Sequence, residues 1–187
     1  RAAERVLHPK KVFHCDVGRF NERHFTYVAA FGSFIDVSYK TPQNAKNMLG
    51  YLAYVLEAVQ RLPNVQPHHA KFIIDDKELE GDYLLGMVAN AASVAGFTIP
   101  GKEKVRLDDG VFEMMLVHYP HNLGEISEVS SGLLRGDFSS PLLSVERVRQ
   151  VEVLSEKPCA WSLDGEYGGK TTHARIKVRH KAIGICI

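Results

Sequence analysis

Eight segments of the sequence have the residue pattern of β-strands, and no other feature constrains the fold as strongly. They are rich in β-branched and aromatic residues, their polar and apolar side chains often alternate, and Gly, Pro, Asn or Asp separates them. The segments span residues 24–34, 70–76, 79–92, 110–119, 144–155, 159–166, 172–180 and 182–187. Short strands at this spacing are typical of sandwiches and barrels. We therefore expect a mainly β chain that folds as a two-layer β-sandwich.

One long helix is expected beside the strands. Thr41 has the side chain of an N-cap, and Pro42 suits the first helical position. Apolar residues then recur at steps of three and four: Ala45, Met48, Leu49, Leu52, Val55, Leu56 and Val59. The polar face is mostly neutral, which favours packing on the sheet over lying on a membrane. The pattern predicts an amphipathic helix over about 42–61, and a second, shorter helix is predicted over 122–134.

Composition excludes several classes of protein. The chain has 187 residues, enough for one sizeable core, so we expect a single domain over residues 1–187. Lys and Arg total 23 against 22 Asp and Glu, and this net charge of +1 does not indicate a nucleic-acid partner. No apolar run approaches the roughly 18 residues of a membrane span. The three cysteines form no C-x-x-C pair, which favours a reducing, cytoplasmic setting.

The stretch WSLDGEYGGKT, residues 161–171, looks like the end of a phosphate-binding loop but lacks its spacing. Such a loop requires G-x-x-x-x-G-K-[ST]. The position five before Gly169 is Asp164, and the nearest glycine, Gly165, leaves the loop one residue short. The following THARIKV alternates like a strand rather than a helix. What remains to be explained is an acidic pair, Asp164 and Glu166, on either side of a glycine.

Two acidic turns are the candidates for chemistry. VRLDDGVF, residues 105–112, places Asp-Asp-Gly before a strong strand, and LDGE, residues 163–166, places two acids on one strand face. Both are first of all turn sequences, because Asp tolerates unusual backbone angles and Gly supplies positive φ. Such a turn can also expose a carboxylate beside backbone carbonyls, an all-oxygen ligand set that suits Mg²⁺. The residues alone leave both interpretations open.

These motifs occur in an order that resembles the bacterial diacylglycerol kinase family. FTYVAAFGSFIDVSYKTPQNAKNMLGYLAYVLEAV resembles the segment that follows the nucleotide-binding half of that family, with Lys46, Gly50, Ala53 and Tyr54 in a K-x-x-x-G-x-x-A-Y arrangement. VRLDDGVFEMMLV and SLDGE resemble the family's two later acidic motifs. The combination covers nearly the whole chain and is far more specific than any one motif.

The resemblance implies a role for each acidic turn. Asp109 would bind Mg²⁺ through its side chain, together with the main-chain oxygens of Arg106 and Val111. Glu166 would be the general base that takes the proton from a lipid hydroxyl as this attacks the γ-phosphate of ATP. Asp164 would shape its turn or join the water network of the metal.

The resemblance also implies that a domain is missing. Family members carry an α/β domain with a glycine-rich nucleotide loop and a G-G-D-G-T motif ahead of this region, and neither motif occurs in the chain. A sequence that begins with Arg1 rather than Met is also expected of a fragment. The chain would then be the C-terminal, lipid-accepting half of a cytoplasmic lipid kinase that touches the membrane transiently. Alone, it would neither bind ATP in the family manner nor phosphorylate a lipid.

Two alternatives stay open. One is a non-catalytic lipid-binding or interaction module that has kept the sandwich and lost catalysis. The other is an NAD kinase-like enzyme, because NAD kinases share the broad architecture and a related D-G motif. A lipid acceptor requires an apolar groove and a dinucleotide requires hydrogen-bonding groups. The apolar stretch YLLGMVANAASVAGF would suit the groove or an ordinary buried strand equally well.

Overall fold

The computed structural model describes residues 11–32, 66–94, 97–98 and 105–186. These ranges contain one helix, α1 (Leu123–Arg135), and eleven strands. The strands are β1 (Val12–Phe20), β2 (Arg23–Phe25), β3 (Val28–Gly32), β4 (His68–Ile74), β5 (Lys77–Ala89), β6 (Ser93–Val94), β7 (Phe97–Thr98), β8 (Phe112–His118), β9 (Leu143–Val148), β10 (Gln150–Leu163) and β11 (Glu166–Cys186). No helix among the described residues is long and apolar enough to cross a membrane.

Nine strands form one antiparallel sheet in the order β2-β1-β11-β10-β3-β5-β8-β9, and β4 pairs with both β10 and β5. β3 and β4 lie end to end between the two long strands. In β10, the segment Val151–Ser155 pairs with β4 and the segment Trp161–Leu163 pairs with β3. β6 and β7 form a separate pair.

The sheet curls until its two ends share one core. Phe25 of β2 lies near one end of the strand order and Phe112 of β8 near the other, yet their ring centroids are 5.7 Å apart. The opposite face of β3, β5 and β8 packs against α1 through Val129 and Leu133. This arrangement confirms the prediction of a mainly β, sandwich-like domain.

The helix α1 confirms the shorter of the two predicted helices. The side chain of Asn122 caps its start by accepting a hydrogen bond from the backbone N–H of Glu125. Gly136 ends it in the left-handed conformation, with φ 67°. The predicted helix over 42–61 lies outside the described residues.

The strand boundaries differ from the predicted ones in several places. The predicted strand 24–34 divides into β2 and β3, and the predicted strand 159–166 joins residues 150–155 in β10 and ends at the turn after Leu163. β1 was not predicted, because its sequence VFHCDVGRF contains Asp and Gly, which are depleted in strands. The predicted strand 144–155 divides between β9 and β10 at Arg149. The predicted segments 172–180 and 182–187 join in β11, where Lys181 has a positive φ of 49° at an irregularity in the pairing with β1.

Candidate functional site

Asp164 and Gly165 form the tight turn between β10 and β11. Leu163 pairs directly with Glu166, so the hairpin loop has two residues, and both have positive φ, 53° and 90°. This is the turn geometry that matches the twist of a hairpin. The LDGE sequence is therefore a turn, as its composition indicates. The expectation that Asp164 and Glu166 share one strand face is wrong, because Asp164 lies in the loop and Glu166 begins the next strand.

The carboxylate of Asp164 holds the neighbouring loop between β2 and β3. Its Oδ2 accepts hydrogen bonds from the backbone N–H of Thr26 at 2.7 Å and from the Thr26 hydroxyl at 2.9 Å. Its Oδ1 accepts from the backbone N–H groups of Tyr27 and Val28, both at 2.9 Å. Burial alone would raise the pKa of Asp164, but these hydrogen bonds outweigh it and hold the pKa below its ordinary value. The hydrogen bonds give Asp164 a structural role, but the loop that they hold is the one between β2 and β3 and not the turn of Asp164 itself.

Replacing Asp164 by Ala is expected to lower the free energy of unfolding by about 2 kcal/mol, because four hydrogen bonds to a charged acceptor are lost. A group whose folded pKa is depressed stabilises the fold above its unfolded pKa and loses this contribution as the pH falls through the folded pKa. The difference between wild type and variant should therefore be constant above about pH 5 and shrink below about pH 4. Urea unfolding at several pH values measures it, and a difference that grows towards low pH would contradict the assignment.

Glu166 is the first residue of β11, and its side chain is exposed. No residue in the described part of the chain donates a hydrogen bond to its carboxylate, whereas Asp164 two positions earlier has four donors. The hairpin thus fixes the backbone of Glu166 and leaves its carboxylate accessible.

Asp109 lies in the second acidic turn, before Gly110, which has φ 76°. Its Oδ1 accepts a hydrogen bond from the backbone N–H of Val111 at 3.1 Å, and its Oδ2 accepts one from Nη2 of Arg147 at 2.6 Å. The guanidinium of Arg106 pairs with Asp108, with Nε 3.2 Å from Oδ1. This ion pair leaves unaffected the ligand role that the resemblance implies for Arg106, because that role belongs to its main-chain oxygen.

A buried aspartate that the sequence did not single out anchors this second turn. The side chain of Asp16 is fully buried, and its Oδ2 accepts a hydrogen bond from the backbone N–H of Gly110 at 2.6 Å. Its Oδ1 accepts from the backbone N–H of Lys181 at 2.6 Å and lies 3.0 Å from Nδ1 of His180. The carboxylate therefore connects the turn to β11 at its irregular position.

Asn90 joins the two acidic turns into one hydrogen-bonded network. Its side-chain amide donates to the carbonyl of Asp16 at 3.1 Å, and its backbone N–H donates to the carbonyl of Tyr27 at 2.9 Å. Tyr27 in turn donates its backbone N–H to Asp164. The network runs from Asp164 through Tyr27, Asn90 and Asp16 to the backbone beside Asp109. The structure thus brings the two predicted acidic turns to the same end of the sheet.

Glu113 and Arg147, which the sequence also did not single out, form a pair beside Asp109. Glu113 is 4% exposed, and its Oε1 is 3.6 Å from Nε of Arg147 on the neighbouring strand. Burial raises the pKa of Glu113 to about 7, against the opposing effect of the Arg147 charge. The sequence shows an acid within the apolar run VFEMMLV, but it does not show that this position faces inward.

The residues of the Asp109 turn fit a hard divalent cation by donor chemistry. The described residues contain no group of three or more His, Cys, Asp or Glu side chains that could hold a metal. The ligand set that the resemblance implies contains only one carboxylate, that of Asp109, and adds the main-chain oxygens of Arg106 and Val111. Carboxylate and main-chain oxygens both suit Mg²⁺. Both oxygens of that carboxylate already accept hydrogen bonds, Oδ1 from the backbone N–H of Val111 and Oδ2 from Arg147, so a cation would have to share an oxygen with one of these donors or displace it.

Comparison with known proteins gives one family and a consistent set of relatives. Residues 32–187 match the model of the YegS C-terminal NAD kinase beta sandwich-like domain. A diacylglycerol kinase of Staphylococcus saprophyticus is 32% identical over 158 residues, which are 83% of this chain and 50% of the relative. A diacylglycerol kinase of Bacillus subtilis is 32% identical over 155 residues, with 82% and 50% covered. The chain spans about half the length of the curated relatives it matches.

Solved structures show the same fold. A crystal structure of a proposed diacylglycerol kinase from Bacillus anthracis superposes with a TM-score of 0.73 at 21% identity, covering 99% of this chain and 59% of that one. An NAD kinase from Archaeoglobus fulgidus in complex with ATP superposes with a TM-score of 0.50 at 11% identity, covering 100% and 59%. At these identities the likeness concerns the fold.

Proposed function

The chain belongs to the YegS C-terminal NAD kinase beta sandwich-like domain family, and on that premise we propose that it is the acceptor-lipid half of an ATP-dependent diacylglycerol kinase. Its curated relatives are diacylglycerol kinases, which supports a lipid hydroxyl as the acceptor. One observation of the structure carries the proposal. Glu166 and the Asp109 turn lie at the same end of the sheet, because the register runs from Glu166 and Leu163 through Ala29 and Val88 to Met114, near the start of β8. Hydrogen bonds through Asp164, Asn90 and Asp16 connect the two turns.

In the proposed reaction, Glu166 is the general base. Its carboxylate accepts the proton of the lipid hydroxyl while the hydroxyl oxygen forms a bond to the γ-phosphorus of ATP and the bond from that phosphorus to the β-phosphate oxygen breaks. In phosphoryl transfer the protein mainly positions the reactants and neutralises charge, so an accessible carboxylate on a rigid hairpin suits this task. Asp164 keeps that hairpin in place through its four hydrogen bonds.

The Asp109 turn would hold Mg²⁺ through the Asp109 carboxylate and the main-chain oxygens of Arg106 and Val111. When bound there, the cation would supply positive charge beside the phosphates or stiffen the turn. Asp16 keeps the turn in position for either role, because its carboxylate binds the backbone N–H of Gly110.

The proposed enzyme needs a second half. Since the chain spans about half of its relatives, we place the ATP-binding domain in the part of those proteins that it does not cover. The complete enzyme would work in the cytoplasm and touch the membrane surface transiently to reach its lipid.

Phosphorylation of diacylglycerol tests the proposal. The complete native polypeptide that contains this chain, and the chain alone, are incubated with diacylglycerol-containing vesicles, ATP and Mg²⁺, and phosphatidic acid is measured. We expect the product with the complete polypeptide only. Absence of product with both would favour a non-catalytic lipid-binding module, and product with the chain alone would mean that ATP binds within these 187 residues.

Replacing Asp109 by Ala is expected to shift the Mg²⁺ dependence of the complete polypeptide to higher concentration by roughly tenfold or more, because the one carboxylate of the proposed ligand set is lost. Mg²⁺ should also raise the melting temperature of the wild-type chain and not that of the variant, since a ligand that binds the folded state stabilises it. Asp108→Ala is the matched control at the neighbouring position. An unchanged Mg²⁺ titration and an unchanged melting response would show that this turn holds no metal.

A further inference from the structure

The guanidinium of Arg147 lies between two carboxylates. Its Nη2 donates to Oδ2 of Asp109 at 2.6 Å, and its Nε lies 3.6 Å from Oε1 of Glu113. The two acids differ in environment, because the side chain of Asp109 is 20% exposed and that of Glu113 is 4% exposed. Arg147 itself is half exposed.

The distribution of these contacts is the reverse of what burial favours. The more exposed carboxylate has the short hydrogen bond, whereas the buried one has the long contact. The Oε2 atom of Glu113 is buried and accepts no hydrogen bond from the residues that the structure describes. A buried carboxylate is ordinarily paired and hydrogen-bonded, because an unpaired one is costly. Glu113 thus offers a second position for a guanidinium.

A divalent cation at the Asp109 turn would favour that second position. The cation and the guanidinium carry like charges and would compete for the same carboxylate. The guanidinium already lies 3.6 Å from Oε1 of Glu113, and its N–H groups form a planar fork that suits a carboxylate. The arginine that belongs to the turn itself, Arg106, is paired with Asp108.

We propose that Arg147 is an exchangeable partner of the metal ligand: it pairs with Asp109 when no cation occupies the turn and with Glu113 when one does. This inference rests on the metal site proposed above. Arg147 is then a positioning residue: it neutralises Asp109 in the metal-free state, and on metal binding its 3.6 Å contact with Glu113 becomes the main pairing of the guanidinium. Glu113 is the acceptor that makes the exchange favourable.

Calorimetric titration of the 187-residue chain with MgCl₂ tests the exchange without reference to enzymatic activity. Arg147→Gln removes the competing guanidinium and is expected to lower the Kd for Mg²⁺ about threefold or more. A change of this size corresponds to the loss of one partly exposed ion pair. Glu113→Gln removes the second position and is expected to weaken binding in the wild-type background. In the Arg147→Gln background the same change should have a much smaller effect, which a double-mutant cycle measures.

Two further measurements separate exchange from general electrostatics. Arg149→Gln removes the same charge two positions away, between β9 and β10, and is expected to change the affinity for Mg²⁺ much less than Arg147→Gln does. The Nε–Hε NMR signal of Arg147 is expected to shift on addition of Mg²⁺ in the wild-type chain, and to shift less in Glu113→Gln. Thermal melting confirms that each variant is folded.

The outcomes distinguish the exchange from the metal site beneath it. Mg²⁺ binding that leaves the Arg147 signal unchanged, or that responds equally to Arg147→Gln and Arg149→Gln, would overturn the exchange and leave the metal site standing. Mg²⁺ binding by Arg147→Gln but not by wild type would overturn the exchange, because it would show that the guanidinium blocks the turn instead of moving to Glu113, and it would leave the metal ligands of the turn standing. Absence of binding in wild type and in Arg147→Gln would overturn both.

Discussion

Replacing Glu166 by Gln is expected to lower kcat of the complete polypeptide by about 10²- to 10⁴-fold, with the KM for diacylglycerol little changed. The amide keeps the size of the side chain but cannot accept the proton of the lipid hydroxyl. The side chain is exposed at the start of β11 and accepts no hydrogen bond from the residues that the structure describes. The change should therefore leave the fold intact. Initial rates of phosphatidic acid formation at varied lipid concentration give both constants.

Glu156→Gln is the matched control for this prediction. Glu156 is also an exposed glutamate of the same hairpin, in β10, and it lies outside the proposed site. Its replacement is expected to leave kcat within about twofold of wild type. A kcat of Glu166→Gln that is as close to wild type as this control would remove Glu166 from the role of base. A raised KM with unchanged kcat would assign it to lipid binding.

The substitution Asp16→Asn is expected to lower the free energy of unfolding by about 3 kcal/mol. Asp16 is fully buried and faces donors on both oxygens, the backbone N–H of Gly110 on one and the backbone N–H of Lys181 on the other. An amide can accept on one side only and would direct its own N–H₂ group at a donor on the other. The melting temperature of a domain of this size should fall by roughly 6 to 12 °C.

The control for this second prediction is Asp76→Asn, in the exposed turn between β4 and β5. A surface change of this kind is expected to alter stability by about 0.5 kcal/mol or less. Urea unfolding of the chain with both variants provides the comparison. If Asp16→Asn were as mild as Asp76→Asn, the carboxylate of Asp16 would not be what holds the Asp109 turn against β11.

The sequence predicts the local parts of the candidate site and not the long-range ones. Asp164-Gly165 is a turn by its composition, and α1 has its cap and periodicity within a few residues. The importance of Asp16 depends on partners 94 and 165 positions away, which no local pattern in β1 indicates. In a strand, Asp beside Val and Cys predicts an outward-facing residue, and only the fold shows that the position is buried.

The same reason explains why Glu113 and Arg147 were missed. They meet because β8 and β9 pair with Glu113 opposite Arg147. The sequence contains both residues, but the register that places them side by side comes from packing of the two strands against the core. The curling of the sheet could not be predicted either, because the contact between Phe25 and Phe112 joins strands that lie far apart in the sheet order.

If this chain is the acceptor-lipid half of a diacylglycerol kinase, the complete polypeptide transfers phosphate to the lipid and not to NAD, and a competition between these two acceptors distinguishes the cases. The complete polypeptide is given γ-labelled ATP, Mg²⁺, diacylglycerol vesicles and NAD in one reaction, and the label is followed into the lipid and aqueous products. We expect label in phosphatidic acid and none in NADP. Label in NADP, with none in the lipid fraction, would contradict it and assign this chain to the NAD kinase-like alternative.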